Sequence, residues 1–312
     1  MPAGPSRWQP PAWPLRRRAR RPCCCRPERL RFLRPWRCSS LFSLPGSLAM
    51  SRQPAATSIQ SRDNALVKDL RRLAQDSGAY RKQGRVWLEG DHLCRAALAR
   101  GMQPAVAVVA ESFWPQVPLE WVQGAGKCVV LSDAVFAEVS GLESPARIGF
   151  LMDWQASAAV RAGVATVVLD RVQDAGNVGS ILRSAAAFGF GQIVALKGTA
   201  ALWSQKVLRA GMGAHFGLHL VESASPEDLS ALGLPLIVTS SHQGELIQGA
   251  ALPWPCAWAM GHEGQGVGGA LMQQAAQHVR IGQPGGEESL NVAAAAAICL
   301  HASSVSAGSR QG

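Results

Sequence analysis

Apolar positions follow two rhythms from residue 58 onward. Between Ser58 and about Trp154, short apolar runs alternate with stretches of helical spacing. Asn64 to Ala74 predicts a helix with Leu66, Val67, Leu70 and Leu73 turned inward and Lys68, Arg71 and Arg72 outward. Arg85 to Leu88, Ala105 to Ala110 and Cys128 to Leu131 predict strands, and His92 to Ala99 and Asp133 to Val139 predict helices. Together they describe a small α/β domain of about 100 residues.

Gln155 to Gly163 (QASAAVRAG) has little pattern and reads as a linker. Beyond it, strands are expected at Ala165–Leu169, Gln192–Leu196, Leu218–Val221, Pro235–Thr239, Cys256–Met260 and Val279–Ile281. Helices are expected at Val178–Phe188, Ser204–Gly211, Gly269–Ala276 and from Val292. Strands alternating with helices imply a largely parallel sheet covered on both faces. Ligands of such sheets sit in loops beyond the strand C-termini.

Charge changes the picture only when it is divided along the chain. The formal net charge is +10, yet residues 1–49 hold 11 Arg, no Lys and one acid, Glu28, which leaves 20 basic against 20 acidic residues from Met50 on. Attraction to a polyanion must then come from a local patch of the body rather than from its overall field. The first 49 residues also carry nine of the 19 prolines and four of the eight cysteines, Cys23, Cys24, Cys25 and Cys38. Three readings stay open for them: a start placed upstream of a true first residue at Met50, a disordered basic RNA-binding tail, and an Arg-rich organellar presequence. The first is preferred, because Met50 opens directly onto patterned sequence.

Cys94, Cys128, Cys256 and Cys299 are widely spaced, with no CxxC pair and no HxxxH partner, so buried reduced thiols of a cytosolic protein are expected and no metal site. No apolar stretch reaches the roughly 18 residues that span a bilayer.

Three stretches carry chemistry. In LDRVQDAGNVGSILRSAAAFG (Leu169 to Gly189) a strand ends, the chain turns, and a helix starts at which Asn177 is placed to cap. Arg183 falls in its second turn, able to reach over Ala186 and Ala187. In AMGHEGQGVGG (Ala259 to Gly269), five glycines after a strand allow close backbone approach to a ligand. Gly264, Gly266 and Gly269 also match GxGxxG, with Glu287 and Glu288 further on, as a dinucleotide fold would have it. The match comes late, with about 45 residues remaining, whereas that fingerprint normally opens the first βα unit. In IGQPGGEESLNVAAAAA (Ile281 to Ala297), a glycine-rich loop delivers Ser289, Leu290 and Asn291 to a helix N-terminus, where free N–H groups suit an anion or a simple cap.

Taken in order, the three resemble the knotted ribose methyltransferases of the SpoU/TrmH family, within the SPOUT superfamily. NxGxxxR followed by FG is matched by Asn177, Gly179, Arg183, Phe188 and Gly189. GxExxG is matched by Gly261, Glu263 and Gly266, and the Ile loop with SLN by Ile281, Ser289, Leu290 and Asn291. Gly282 and Gln283 depart from the Pro and Met that usually follow the Ile. Upstream, Ser61–Leu73 and Arg85–Leu93 resemble the substrate-binding domain of ribosomal-RNA members.

The resemblance implies an α/β fold: a C-terminal α/β-knot, a deep trefoil knot with a mostly parallel sheet, after a small L30e-like α/β substrate-binding domain. The implied division is 1–49 extension, 50–155 RNA substrate-binding domain, 156–163 linker, 164–306 methyltransferase domain and 307–312 tail. It further implies S-adenosylmethionine as methyl donor, a homodimer, and a cytoplasmic enzyme acting on a ribose 2'-hydroxyl of ribosomal RNA. Met260, Gly261, Gly266, Ile281 and Leu290 would hold the donor, and Arg183, Asn177, Glu263, Ser289 and Asn291 would carry the chemistry. A guanidinium is very hard to deprotonate, so Arg183 is expected to stabilise a developing alkoxide rather than act as a simple base. Arg62, Lys68, Arg71, Arg72, Arg81, Lys82 and Arg85, against Asp63, Asp69 and Asp76, would contact RNA phosphates. The alternatives are a transfer-RNA substrate, an NAD-type oxidoreductase, and a non-catalytic RNA-binding module.

Overall fold

The computed structural model describes residues 53–142, 144–156, 159–240, 244–285 and 289–308. The chain divides into two units, 1–49 and 50–312; the first, with the three readings given to it, lies outside the described residues.

Ten elements make the first lobe: β1 (Ala56–Ile59), α1 (Ala65–Gln75), α2 (Ala79–Gln83), β2 (Arg85–Glu89), α3 (Asp91–Leu98), β3 (Val106–Ala110), α4 (Leu119–Val122), β4 (Lys127–Leu131), α5 (Asp133–Val139) and β5 (Ile148–Asp153). Helix α1 forms where its spacing predicts. Asn64 Oδ1 accepts from Leu66 N at 2.9 Å as N-cap, and Val67, Leu70 and Leu73 are buried. The sheet order is β1-β4-β3-β5-β2, with β1, β3 and β4 parallel and β5 antiparallel to both β2 and β3.

The second lobe runs β6 (Thr166–Leu169), α6 (Ala175–Ala187), β7 (Gln192–Leu196), α7 (Gln205–Gly211), β8 (His219–Ala224), β9 (Leu236–Thr239), β10 (Glu245–Leu246), β11 (Ala257–Met260), α8 (Gly269–Gln274), β12 (Gln277–Arg280) and α9 (Val292–Gly308). All its strands are parallel, in the order β10-β12-β9-β11-β6-β7-β8. The direction reverses at β6: the chain lays down β7 and β8 on one side, returns to place β9 on the other, and later slots β11 between β9 and β6.

Both faces are covered, which explains apolar runs in place of alternation. Val167, Leu169, Trp258 and Met260 face one core with Ile181 and Leu182 of α6 and Cys299 and Leu300 of α9. Val168, Val194, Ala257 and Ala259 face the other, with Leu271 of α8. Val178, Ile181 and Leu182, all fully buried, give α6 on the order of 5–9 kcal/mol of apolar stabilisation. Trp258 is fully buried, and its Nε1 donates to Ser303 Oγ on α9 at 2.9 Å.

The lobes share a seam. The side chain of Glu222 on β8 is only 6% exposed, and its carboxylate accepts from Tyr80 Oη, Arg81 and Leu202 N, joining α2 to the seven-stranded sheet. Gln205 Nε2 donates to the Trp87 carbonyl at 2.6 Å, and Leu208 enters the first lobe's core. Nearby His215 is fully buried and donates from Nε2 to the Leu202 carbonyl; burial pushes its imidazole down to about 4, so it is neutral at pH 7.

Candidate active site

Helix α6 begins three residues earlier than expected, because Asp174 is its cap: Oδ1 accepts from Asn177 N at 2.7 Å. Asn177 therefore lies inside the first turn instead of capping it, and its carboxamide is available to other partners. Its Nδ2 donates to Glu263 Oε1 at 3.1 Å, and its Oδ1 accepts from Asn291 Nδ2 at 2.9 Å. Asn291 in turn caps α9, Oδ1 accepting from Ala293 N and Ala294 N at 2.9 and 3.3 Å. Capping and membership of the cluster hold for Asn291 together.

Glu263 closes the chain. Its carboxylate accepts from Gln173 N at 3.2 Å and Asp174 N at 3.1 Å. Burial raises this carboxyl, but hydrogen bonds from its own backbone, Asn177, Asp174 and Gln173 outweigh that and hold it below the usual carboxylate value. It is an anionic acceptor that orients its neighbours, poorly suited to act as a base.

The glycine-rich loop after β11 is a closed hairpin. His262 and Gly266 exchange backbone hydrogen bonds at 3.0 and 2.8 Å, with Gly266 at φ +67°. Gly261 is buried, and a Cβ there would strike the backbone of Gly266 and Val267, so only glycine fits. His262 Nδ1 accepts from Gly264 N at 3.0 Å and Gln265 N at 3.2 Å. Buried Asp170, just past β6, accepts from Gly268 N at 2.6 Å and from Arg171 Nε at 2.9 Å, while Arg171 also donates to Gln265. The amides of Gly264 and Gln265, which a GxGxxG phosphate site would present, are thus already engaged. Glu287 and Glu288 lie outside the described residues.

Met260 is fully buried; its side chain belongs to the core and its carbonyl accepts from Asp170 N. Ile281 is half-buried, Ser289 exposed, and Leu290 40% exposed. Gln283 presents a buried Oε1 with no partner among the described residues.

Arg183 is exposed and has no hydrogen bond or ion pair among the described residues. With the helix starting at Ala175 it sits in the third turn rather than the second, about 240° round from Asn177. It does not join the Asn177–Glu263–Asn291 chain within one protomer.

The first-lobe basic residues are more neutralised than their own segment suggests. Arg62 and Arg71 pair with Glu138 (3.6 and 2.8 Å), Lys68 with Asp63, Arg81 with Glu222 and Arg85 with Asp153. Exposed Arg72 and Lys82 have no ion pair among the described residues.

Sequence reasoning passed over Asp170, Arg171, Asp174, His262 and Gln265. Asp174, three residues before Asn177, carried a cap signal of its own; the others show no pattern along the chain. The four described cysteines are free and buried, and burial pushes the Cys299 thiol up to about 12 and Cys256 up to about 11. Among the described residues no helix is long and apolar enough to cross a membrane, and no cluster of His, Cys, Asp and Glu could hold a metal ion.

The model of the SpoU rRNA Methylase family matches residues 165–301, and that of the MRM3-like substrate binding domain matches residues 64–149. The 23S rRNA (guanosine(2553)-2'-O)-methyltransferase RlmP of Bacillus subtilis (strain 168) is 31% identical over 249 residues, spanning 78% of this chain and 97% of that protein. The chain belongs to the SpoU family. Among solved SpoU-like structures, an AdoMet-bound rRNA methyltransferase from Sinorhizobium meliloti superposes with a TM-score of 0.69 at 26% identity, covering 80% of this chain and 97% of the other. An RNA 2'-O ribose methyltransferase superposes at 0.67 with 29% identity, covering 82% and 100%. The SpoU match takes in β6 to α9, which hold the three stretches gathered at the site, and the MRM3-like match falls on the five-stranded lobe.

Proposed function

We propose that this protein transfers a methyl group from S-adenosylmethionine to a ribose 2'-hydroxyl of ribosomal RNA, in the cytoplasm. The observation that carries the reading is the hydrogen-bonded chain Glu263–Asn177–Asn291. It joins three distant stretches at the C-terminal ends of parallel strands, where ligands of such sheets bind.

The residues present fit the donor. Ile281 and Leu290 offer apolar surface, the Gly261–Gly266 hairpin supplies backbone, and the orphan Oε1 of Gln283 is a buried acceptor for an amino N–H. The donor, when bound, supplies an electrophilic methyl on a sulfonium. Met260 contributes its backbone, since its side chain is fully buried in the core. Asn177, Glu263, Ser289 and Asn291 orient the ribose, and alignment of the hydroxyl with the methyl supplies much of the rate. Arg183 stabilises the developing alkoxide as a fixed positive charge.

The same reading includes a homodimer. Ile298 and Val305, seven residues apart on one side of α9, are 40% and 54% exposed, as suits a helix face covered by a partner. Arg183, which makes no hydrogen bond to the cluster within its own protomer, would meet the partner's. A deep trefoil knot is proposed on the strength of β11 lying between the earlier β6 and β9. Residues 50–155 are taken as the RNA-binding domain, 156–163 as linker, 164–306 as the methyltransferase domain and 307–312 as tail. Arg72 and Lys82 lead the proposed phosphate contacts.

The test uses radiolabelled S-adenosylmethionine, bulk RNA and an Arg183→Ala control, followed by alkaline digestion. A 2'-O-methyl group removes the nucleophile of alkaline cleavage. Label in alkali-resistant dinucleotides, lost in the variant, is expected. Label in mononucleotides would mean base methylation; label on transfer RNA alone would move the substrate; donor binding without transfer would make the protein a binding module.

A further inference from the structure

We infer that His262 is a positioning residue of the donor site. Its imidazole acts as the internal clasp that shapes the Gly261–Gly266 hairpin and sets Glu263 at the Asn177 chain. The inference rests on reading that hairpin as the donor loop, and deepens it.

The geometry is specific. A five-residue turn is closed at its ends by the His262–Gly266 backbone pair. Two of the three inner amides of the turn, Gly264 N and Gln265 N, converge on a single atom, His262 Nδ1, at 3.0 and 3.2 Å. Amides only donate, so Nδ1 carries a lone pair and the ring proton is on Nε2. The imidazole thus does what an Asn or Asp side chain does when it folds back on the amides two and three residues ahead.

The hairpin fixes two neighbours at once. Glu263 lies between the clasp and its two amides, and its carboxylate reaches Gln173 N, Asp174 N and Asn177 Nδ2. Gln265, held through its amide, accepts from Arg171 through its side chain at 3.0 Å. If the imidazole acceptor is lost, both amides must turn to water, and the turn that aims Glu263 loses its internal support. A positively charged ring, with N–H on both nitrogens, would have the same effect as deletion.

The experiment separates acceptor from bulk. His262→Phe keeps a ring without the acceptor, His262→Ala removes both, and His262→Asn keeps only the acceptor. Donor affinity is measured by calorimetry with S-adenosylmethionine, and kcat and KM with RNA. The Phe and Ala variants are expected to bind the donor about tenfold more weakly, with a raised KM for donor and an unchanged melting temperature, while the Asn variant returns to within about twofold of wild type. Phe binding as well as Asn, or Ala binding like wild type, would overturn the inference.

Nitrogen-15 NMR of the wild-type ring provides a readout independent of activity: an unprotonated Nδ1 is expected at pH 8, and a dominant Nδ1–H tautomer would sink the clasp. If wild type binds no S-adenosylmethionine, the functional reading fails by itself, and the tautomer and the exchange rates of the Gly264 and Gln265 amides still decide the clasp.

Discussion

The loops after β11 and β12 use their polar groups in opposite ways. From Gly261 to Gly268 the chain satisfies itself: His262 takes two amides, Glu263 three donors, and Asp170 the Gly268 amide. Among the described residues from Ile281 to Asn291, only Asn291 is anchored this way, while Gln283 keeps an orphan acceptor and Leu290 stands 40% exposed. A loop with its own hydrogen bonds already made holds its geometry before any ligand arrives. A loop with unmet polar and apolar surface is where ligand binding energy is still to be had. On the proposed reading, the first loop offers the donor a preformed shape, and the second keeps unmet surface for it.

That contrast can be broken at its strongest point first. Gly261→Ala places a Cβ against the backbone of Gly266 and Val267, and strain of about 3 kcal/mol should cut donor affinity roughly a hundredfold and lower the melting temperature. Wild-type binding by calorimetry would show that the first loop is softer than its hydrogen bonds imply. Next, Asn177→Ala and Asn291→Ala should each lower kcat by more than tenfold, but only Asn291→Ala should also cost about 1 kcal/mol of stability, since it alone caps a helix. Equal losses of stability in denaturant titrations would remove that distinction.

Gln283→Ala should weaken donor binding about tenfold and leave the ligand-free protein as stable or slightly more so, because an unmet buried acceptor is deleted. A destabilised ligand-free variant would mean that Oε1 is already satisfied and the second loop is less open than described. The smallest effect is expected from Arg72→Glu with Lys82→Glu. RNA affinity should fall several-fold, with a log–log salt dependence flatter by roughly 0.7–0.9 for each phosphate no longer neutralised, and donor affinity should not move. Arg71 is a poorer target than its neighbour, since its reversal would set two carboxylates together at Glu138.

Much of this fold was legible in the order of residues. The helix over Asp133–Val139 matches to the residue because its apolar spacing is periodic, and the strand Gln192–Leu196 matches because a short apolar run is bounded there by Gly191 on one side and Lys197 and Gly198 on the other. Two further strands carry no such signal. Ala56–Ile59 is an almost wholly exposed edge without apolar alternation, and Ile148–Asp153, buried along most of its length, lacks a periodic contrast to mark it.

At the site, the family resemblance groups Asn177, Glu263 and Asn291 with Arg183 and Ser289, and the structure hydrogen-bonds the first three to one another but not Arg183. The sequence reading takes Asn177 as the cap where Asp174 is, because both side chains can accept an amide and the outcome depends on Glu263, 86 residues away. The charge balance of the basic stretch is likewise set from afar: Glu138 and Glu222, which pair with Arg71 and Arg81, are 67 and 141 residues distant. Hydrogen-bond partners of this kind are set by topology, which a local window does not contain.

The place of β11 has a consequence for the birth of the molecule. Strands β6 and β9 flank a position that stays open until Ala257–Met260 has been synthesised, so the sheet cannot close while the chain is growing through β7, β8 and β9. Pairings of such long range are slow, and an unfilled parallel edge is exposed to wrong partners in the meantime. The five-stranded lobe is complete by Asp153 and can fold first, during translation. The loop that carries Gly261 and Glu263 directly follows β11, so on the proposed reading the site can form only after this strand has taken its place between β6 and β9.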